Sequence, residues 1–291
     1  MTLLEKHAPL AFLLMWSSGA IFVKIGLQYA SVSVFLLIRS AGATLSLLII
    51  ILIISKNNKN LLTILTSRKV ISKAVLIGLV LQVGYQSAYF LALDYRLTPG
   101  ILAIILGLQP ILTPLLGRER IGSSGFFFLL LGLAGLVVAV FGAKEMRAIT
   151  PAGVFFGVCS VLAISIGSIM QKHASIDPLI SAFYQSLAAA LVFLAIMPAT
   201  LIHLEITMPF IISALWMILI VSTLAGLLLF YMLSRNSASK VSILFYLVPV
   251  ITVLFDYIVF GNRISWMTGL GAILIIISVK GFGHKPNKPH T

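Results

Sequence analysis

The sequence predicts an all-α integral membrane protein with ten transmembrane helices, arranged as two inverted five-helix repeats. Composition, the length of the apolar segments and an internal similarity lead to this prediction. Of the 291 residues, 60% are hydrophobic and only 9% are charged, whereas soluble domains are roughly 45–50% apolar and about 25% charged. So few charged side chains cannot cover a water-soluble globule, and much of the surface must therefore face lipid.

Ten apolar segments are long enough to cross the hydrocarbon core of a bilayer, which takes about 20 residues of helix. They lie at residues 8–27, 31–54, 72–93, 98–121, 124–142, 151–171, 178–198, 209–232, 241–260 and 264–282. The loops between most of them are only a few residues long. No soluble domain fits into these gaps, so any function must reside within the helical bundle.

The basic residues predict the side of the membrane that each loop faces. With the N-terminus in the cytoplasm, most loop Lys and Arg residues are cytoplasmic, and the opposite side holds only Arg96, Lys144, Arg147 and Arg263. Cytoplasmic loops of membrane proteins carry such an excess of positive charge. We therefore predict a multi-pass protein of the cell inner membrane with both termini cytoplasmic, residues 283–291 forming a tail. The net charge of +13 does not indicate nucleic-acid binding, because no basic face with interleaved polar residues is present.

The two halves of the chain are similar to each other. One constant shift aligns residues that are informative in apolar helices, namely Pro110 with Pro249, Gly132 with Gly271 and Gly142 with Gly281. The repeats, residues 1–142 and 151–282, each contain five spans, and because five is odd the second repeat enters the membrane from the opposite side. Inverted repeats of this kind are typical of transporters that alternate access around a site at the membrane midplane.

Short motifs resemble those of EamA-type transporters of the drug/metabolite transporter superfamily, including its aromatic amino acid exporters. They are Met15-Trp16-Ser17-Ser18-Gly19, Leu37-Ile38-Arg39-Ser40, Leu91-Ala92-Leu93-Asp94-Tyr95, Leu108-Gln109-Pro110-Ile111-Leu112-Thr113 and Tyr246-Leu247-Val248-Pro249-Val250-Ile251-Thr252. The resemblance covers about residues 8–282. It implies export of small organic metabolites, with amino acids as the leading substrate class, and places spans four and nine at a central cavity. The family's usual Gly-Glu pair is replaced by Gly122-Ser123 and Gly261-Asn262, so no role is transferred from that glutamate.

Polar side chains within the spans mark the predicted cavity, because polar groups are costly in lipid and normally face the bundle or water. In the third span, the spacing of Gln82, Tyr85, Gln86 and Tyr89 places all four on one face of an α-helix. The complete set of predicted substrate-binding residues is Trp16, Ser17, Gln82, Tyr85, Gln86, Tyr89, Gln109, Ser165, Ser168, Ser242 and Tyr246. The alternative for these groups is hydrogen bonding between packed helices.

Two prolines and one carboxylate complete the predicted site. Pro110 and Pro249 are predicted helix breaks, since proline lacks an N–H group and frees the carbonyl four residues earlier. Such breaks are tolerated where they line a cavity. Asp256, near the outer end of the ninth span, is the candidate for proton coupling, because the guanidinium of Arg39 is permanently charged.

No enzymatic activity, cofactor or metal site is predicted, because the chain has neither an HExxH nor a Gly-x-Ser-x-Gly motif. The predicted partners are a small-molecule substrate and the lipid bilayer, and the chain is a monomer or a homodimer. The glycines of spans five and ten, Gly132, Gly135, Gly142, Gly269 and Gly271, permit close helix contact. Two alternatives remain: efflux of lipophilic cations or drugs, which requires a carboxylate deep in the cavity, and a non-transporting membrane scaffold.

Overall fold

The computed structural model describes residues 3–55, 67–97, 99–142, 150–197, 202–260 and 265–283, and these ranges are helical apart from short connections. The helices are α1 (Leu3–Gly26), α2 (Val32–Ser55), α3 (Arg68–Asp94), α4 (Pro99–Leu106), α5 (Gln109–Leu116), α6 (Ser123–Gly142), α7 (Pro151–His173), α8 (Pro178–Ile196), α9 (Met208–Arg235), α10 (Ala238–Ser242), α11 (Leu247–Phe260) and α12 (Trp266–Gly283). Strand-like pairing in these ranges is limited to one antiparallel bridge, between Ala30 and Leu204.

In the described part of the chain, 8 helices are long and apolar enough to cross a membrane. Two shorter apolar helices, Ile101–Leu116 and Trp266–Phe282, lie in the fourth and tenth predicted spans. The all-helical, multi-pass membrane architecture is therefore confirmed. The crossing of all ten segments and their arrangement as inverted repeats stay predictions.

The helices form two compact units. Unit 1 consists of Met1–Ser87 and Gly167–Arg235, and unit 2 consists of Ala88–Ile166 and Asn236–Thr291. Unit 1 thus contains α1, α2, most of α3, the end of α7, α8 and α9, whereas unit 2 contains α4 to α6, most of α7 and α10 to α12. This division differs from the predicted repeats, because each half of the chain contributes helices to both units.

In unit 1, helices α1, α2 and α9 share an aromatic-rich core. Trp216 of α9 stacks on Phe22 of α1 with the ring centroids 4.7 Å apart, and its indole N–H donates to Ser18 Oγ at 2.9 Å. Their connections are also joined, since the Ser31 N–H donates to the His203 carbonyl at 2.9 Å. This bond and the adjacent bridge hold the α1–α2 and α8–α9 connections side by side.

In unit 2, helices α6 and α12 pack through their glycines. A Cβ atom added to Gly135 would lie 2.8 Å from the Gly271 carbonyl oxygen, so the two backbones are in direct contact. The Thr268 hydroxyl donates to the Ala139 carbonyl at 3.0 Å and reinforces the same pair of helices. Most of the glycines predicted to permit close helix contact thus pack against other helices of the same chain. Gly269 is the exception, since no heavy atom lies within 4 Å of a Cβ atom added to it.

Two further contacts join connections within unit 2. The Glu119 carboxylate, between α5 and α6, accepts hydrogen bonds from the backbone N–H groups of Ala238 at 2.9 Å and Ser239 at 3.2 Å. It therefore caps the N-terminus of α10. On a second pair of connections, the Thr150 hydroxyl donates to the Tyr95 carbonyl.

Candidate functional site

Two helices of unit 1 contain π-helical segments. They are Leu79–Gly84 in α3 and Met217–Ala225 in α9. The shift that aligns Pro110 with Pro249 also moves residues 79–84 to 218–223, so the two segments occupy matching positions in the two halves. π-Helical turns are rare and occur frequently at functional sites. This pair of segments therefore marks the region of unit 1 where the site residues are best sought.

The predicted pair Gln82 and Gln86 lies at the π segment of α3. Gln86 Nε2 donates to Gln82 Oε1 at 2.5 Å, and Gln86 is only 7% exposed. Gln86 Oε1 is buried and has no hydrogen-bond partner among the described residues. Leaving such an acceptor unsatisfied costs about 1–3 kcal/mol, so this atom is suited to accept a hydrogen bond from a bound solute.

The π segment interrupts the regular α-helical spacing from which the polar face of α3 was predicted. Because its N–H groups bond five residues back, as the N–H of Tyr85 does to the Val80 carbonyl, regular α-helical spacing resumes only from Tyr85 onward. Tyr85 is half-buried in unit 1. Tyr89 belongs to unit 2, where it is half-buried and its ring packs edge-on against Phe90 at 5.7 Å.

A cation also lies next to the π segment of α9. The Nε group of Arg39 in α2 donates to Ser222 Oγ at 2.6 Å, and Ser222 belongs to the π segment of α9. Tyr85, the first residue after the π segment of α3, interacts electrostatically with the same guanidinium. Arg39, Ser222 and Tyr85 all belong to unit 1.

The remaining predicted residues of unit 1 lie on α1 and α7. Trp16 is half-buried, with its ring centroid 5.3 Å from that of Phe12. Ser17 is completely buried and Ser168 is 3% exposed. The two serines therefore lie in the interior of the unit, as expected for polar groups in apolar helices.

A second buried polar cluster of unit 1 is not predicted by the sequence. Gln171 Oε1 accepts hydrogen bonds from Ser181 Oγ at 2.9 Å and from Gln185 Nε2 at 2.7 Å. Gln185 is fully buried, and its Oε1 has no partner in the described part of the chain. The available signal was two glutamines within apolar segments, but their proximity depends on the packing of α7 against α8.

In unit 2, the fourth span is interrupted directly before Pro110. Helix α4 ends at Leu106, a turn follows at residues 107–108, and α5 begins at Gln109. Gln109 is 1% exposed and Thr113 is completely buried, and neither Gln109 Nε2 nor Thr113 Oγ1 has a hydrogen-bond partner among the residues described. The sequence predicts Gln109 as a site residue, whereas Thr113 was noted only as part of a motif.

The ninth span contains a corresponding irregularity, a 3₁₀ turn at Ile243–Tyr246 shortly before Pro249. Tyr246 is completely buried and its hydroxyl donates to the Leu129 carbonyl at 2.9 Å. Ser242 donates to the Ser239 carbonyl at 3.0 Å. In this conformation both hydroxyl donors stabilise unit 2 itself, and their contact with a solute stays a prediction.

Two other residues that were predicted for the site lie in unit 2. The buried Ser165 donates its hydroxyl proton to the Val161 carbonyl one turn earlier, at 2.7 Å. Asp256 stands in α11, but its side chain lies outside the described part of the structure. No group of three or more His, Cys, Asp or Glu side chains that could hold a metal ion occurs in the described ranges.

Comparison with known proteins gives consistent matches. Residues 151–282 match the EamA-like transporter family. The uncharacterized transporter YyaM of Bacillus subtilis (strain 168) is 27% identical over 255 residues, covering 82% of this chain and 80% of YyaM. The uncharacterized transporter YvbV of the same organism is 27% identical over 282 residues, covering 93% of this chain and 88% of YvbV.

A solved crystal structure superposes with a TM-score of 0.78 and covers 95% of both chains, but at 18% sequence identity it supports the fold alone. The family match and the two related transporters indicate a carrier and not an enzyme. The chain is similar to EamA-type transporters, over residues 151–282 by the family match and over most of its length by the two related transporters.

Proposed function

We propose that this protein is a secondary carrier of the cell inner membrane that exports small organic metabolites, with amino acids as the leading substrate class. The observation that carries the proposal is the Gln82–Gln86 pair at the π segment of α3, where a buried amide oxygen has no partner among the described residues. This neutral oxygen can accept hydrogen bonds from the ammonium or amide group of a solute, and the protein needs no charged side chain to do so.

Alternating access between two inverted five-helix repeats is the proposed mechanism. The matching π segments of α3 and α9 support the repeat, and the family match begins and ends at the boundaries of the proposed second repeat, residues 151–282. The cavity walls are proposed to include the breaks before Pro110 and Pro249, because irregular backbone at membrane depth is tolerated where it lines a cavity.

The contacts between connections support the proposed topology of ten spans. The α1–α2 and α8–α9 connections are joined, as are those that contain Glu119 and Ala238, and those that contain Tyr95 and Thr150. In each pair, an even number of proposed spans separates the two connections along the chain. Both members of each pair therefore lie on the same side of the membrane, and the basic residues favour cytoplasmic termini.

The predicted substrate-binding residues favour an amphiphilic or zwitterionic solute. Neutral amides and hydroxyls predominate, and phosphorylated solutes usually need several Lys or Arg groups. Asp256 stays the proposed proton-coupling residue. The proposed carrier is a monomer or a homodimer.

The proposal is tested by uptake of radiolabelled amino acids into proteoliposomes, with aromatic, aliphatic and charged solutes compared with and without a pH gradient. We expect saturable uptake of one class. Replacing Gln86 by Ala should weaken it about 2- to 12-fold, the equivalent of one net neutral hydrogen bond. The matched control is Gln28→Ala, which removes an exposed glutamine and should leave uptake unchanged.

Three outcomes would contradict the proposal. If folded protein takes up none of the amino acids, the leading substrate class is excluded. Uptake of lipophilic cations instead would favour drug efflux. Absence of all transport, with the protein still required in the cell, would indicate a scaffold. Equal losses from Gln86→Ala and Gln28→Ala would remove Gln86 from the site.

A further inference from the structure

Helix α2 carries a cation for which unit 1 offers no carboxylate. Arg39 is half-buried in Val32–Ser55, well away from both ends. A charged side chain within the hydrocarbon core is costly, and a guanidinium cannot escape this cost by losing its proton. A compensating negative charge is therefore expected near Arg39.

The acidic residues of unit 1 lie elsewhere. Glu5 stands near the beginning of α1, the Asp177 carboxylate caps α8 through the N–H groups of Leu179 and Ile180, and Glu205 pairs with His203 at 3.6 Å in an exposed connection. The sequence has no Asp or Glu at 7–55, 67–87, 167–173, 178–196 or 208–235. These stretches, which include α2 and α9, therefore carry no carboxylate of their own.

The neighbours of Arg39 are neutral hydroxyl groups. Ser222 accepts a hydrogen bond from Nε, and the phenol of Tyr85 interacts with the guanidinium electrostatically. The hydrogen bond to Ser222 orients the side chain but leaves its net charge of +1 uncompensated. Because the Ser222 contact engages Nε, the two Nη groups are the pair that can bind a carboxylate in the end-on, bidentate geometry that arginine favours.

The packing of α2 against α9 holds Arg39 in position. At Gly42, three residues after Arg39, an added Cβ atom would lie 2.7 Å from Ile218 Cγ1 in the π segment of α9. Within that segment the Thr223 hydroxyl donates to the Ile218 carbonyl at 2.8 Å. The irregular backbone is thus satisfied locally, and it presents Ser222 to the guanidinium.

We propose that Arg39, oriented by Ser222, is an anion site that binds the carboxylate of the transported solute. This inference rests on the proposed carrier function and narrows its substrates to organic carboxylates. The competing explanation is purely structural: Arg39 would tether α2 to α9 through Ser222 and bind no solute.

The experiment measures binding to the purified full-length chain in detergent by ligand-dependent thermal unfolding. The probes are L-phenylalanine, 3-phenylpropanoate, which has the carboxylate without the amine, and L-phenylalaninamide, which has the amine without the carboxylate. We expect both carboxylates to raise Tm and the amide to have little effect. The wild-type comparison alone tests the inference, even if an Arg39 variant does not fold.

The variants are Arg39→Gln and Arg39→Lys, with Ser46→Ala as the matched control on α2, since the Ser46 hydroxyl donates to the Gly42 carbonyl of its own helix. We expect Arg39→Gln to weaken binding of both carboxylates by about 10-fold or more, because charge-assisted hydrogen bonds are stronger than neutral ones. Arg39→Lys should be intermediate, and Ser46→Ala should match the wild type.

The inference is overturned if the amide stabilises the protein as well as the acids, if Arg39→Gln binds the carboxylates normally, or if neither carboxylate raises Tm at millimolar concentration. Its failure is distinguishable from failure of the proposed function. Normal amino acid uptake by Arg39→Gln would remove Arg39 from the site and leave the carrier intact. Carboxylate binding that depends on Arg39, without amino acid uptake, would exclude amino acid export and retain the anion site.

Discussion

The glycine contact between α6 and α12 allows a sharp stability prediction from two substitutions on one helix. Gly271→Ala places a Cβ atom 2.5 Å from the Ala139 backbone nitrogen and 2.7 Å from Ala139 Cβ. These atoms belong to the facing helix backbone and to a side chain without rotatable bonds, so only separation of the helices relieves the clash. Gly269→Ala, two residues earlier, meets no heavy atom within 4 Å.

The magnitudes follow from this difference. Inserting an extra methyl group into a packed interior costs about 1–3 kcal/mol, while replacing Gly by Ala in a helix gains up to about 1 kcal/mol. We therefore expect Gly271→Ala to destabilise the protein by about 1–2 kcal/mol and Gly269→Ala to be neutral or stabilising. Any intrinsic preference of the helix for alanine cancels in the comparison of the two variants.

The assay is reversible unfolding of both variants in mixed detergent micelles, followed by circular dichroism. Equal stabilities would refute the reasoning, because they would mean that α6 and α12 do not approach through these glycines. A large loss for Gly269→Ala alone would place the close contact on another face of α12.

Three further predictions concern side chains outside this contact. Glu119→Gln should destabilise the protein by about 1–2 kcal/mol, because the amide retains only one acceptor for the α10 cap, and full stability in the same unfolding assay would exclude the cap. Tyr246→Phe should cost about 1 kcal/mol, since Leu129 loses one hydrogen bond, whereas the half-exposed Tyr257→Phe should change stability by less than about 0.5 kcal/mol. Asp256→Asn should abolish any stimulation of uptake by a pH gradient, and retained stimulation would assign proton coupling to another group.

Much of the helical architecture is predictable from local properties of the sequence. Apolar segments such as 31–54 coincide with helices such as Val32–Ser55, because the cost of exposing polar backbone to lipid imposes helical structure on any sufficiently long apolar run. The polar face of Gln82, Tyr85, Gln86 and Tyr89 is also predictable locally, because polar side chains are costly in lipid and their spacing places them on one side of a single helix. The transporter class follows from motifs that recur in both halves.

The π segments are not predictable in this way. The residues of Leu79–Gly84 and Met217–Ala225 are ordinary for an α-helix, and the switch to bonds five residues back depends on packing against neighbouring helices. The same holds for the contact between Arg39 and Ser222, whose residues are far apart in the sequence.

The sequence by itself determined the membrane class, most helix positions and the resemblance to EamA-type transporters, because transfer free energy and short motifs act over a few turns of chain. Only the tertiary structure decided which polar groups meet. The Gln171–Ser181–Gln185 cluster and the use of the Tyr246 hydroxyl by Leu129 depend on how separate helices pack. A buried polar group must find its partner in three dimensions, and several partners satisfy a given residue equally well until the packing selects one.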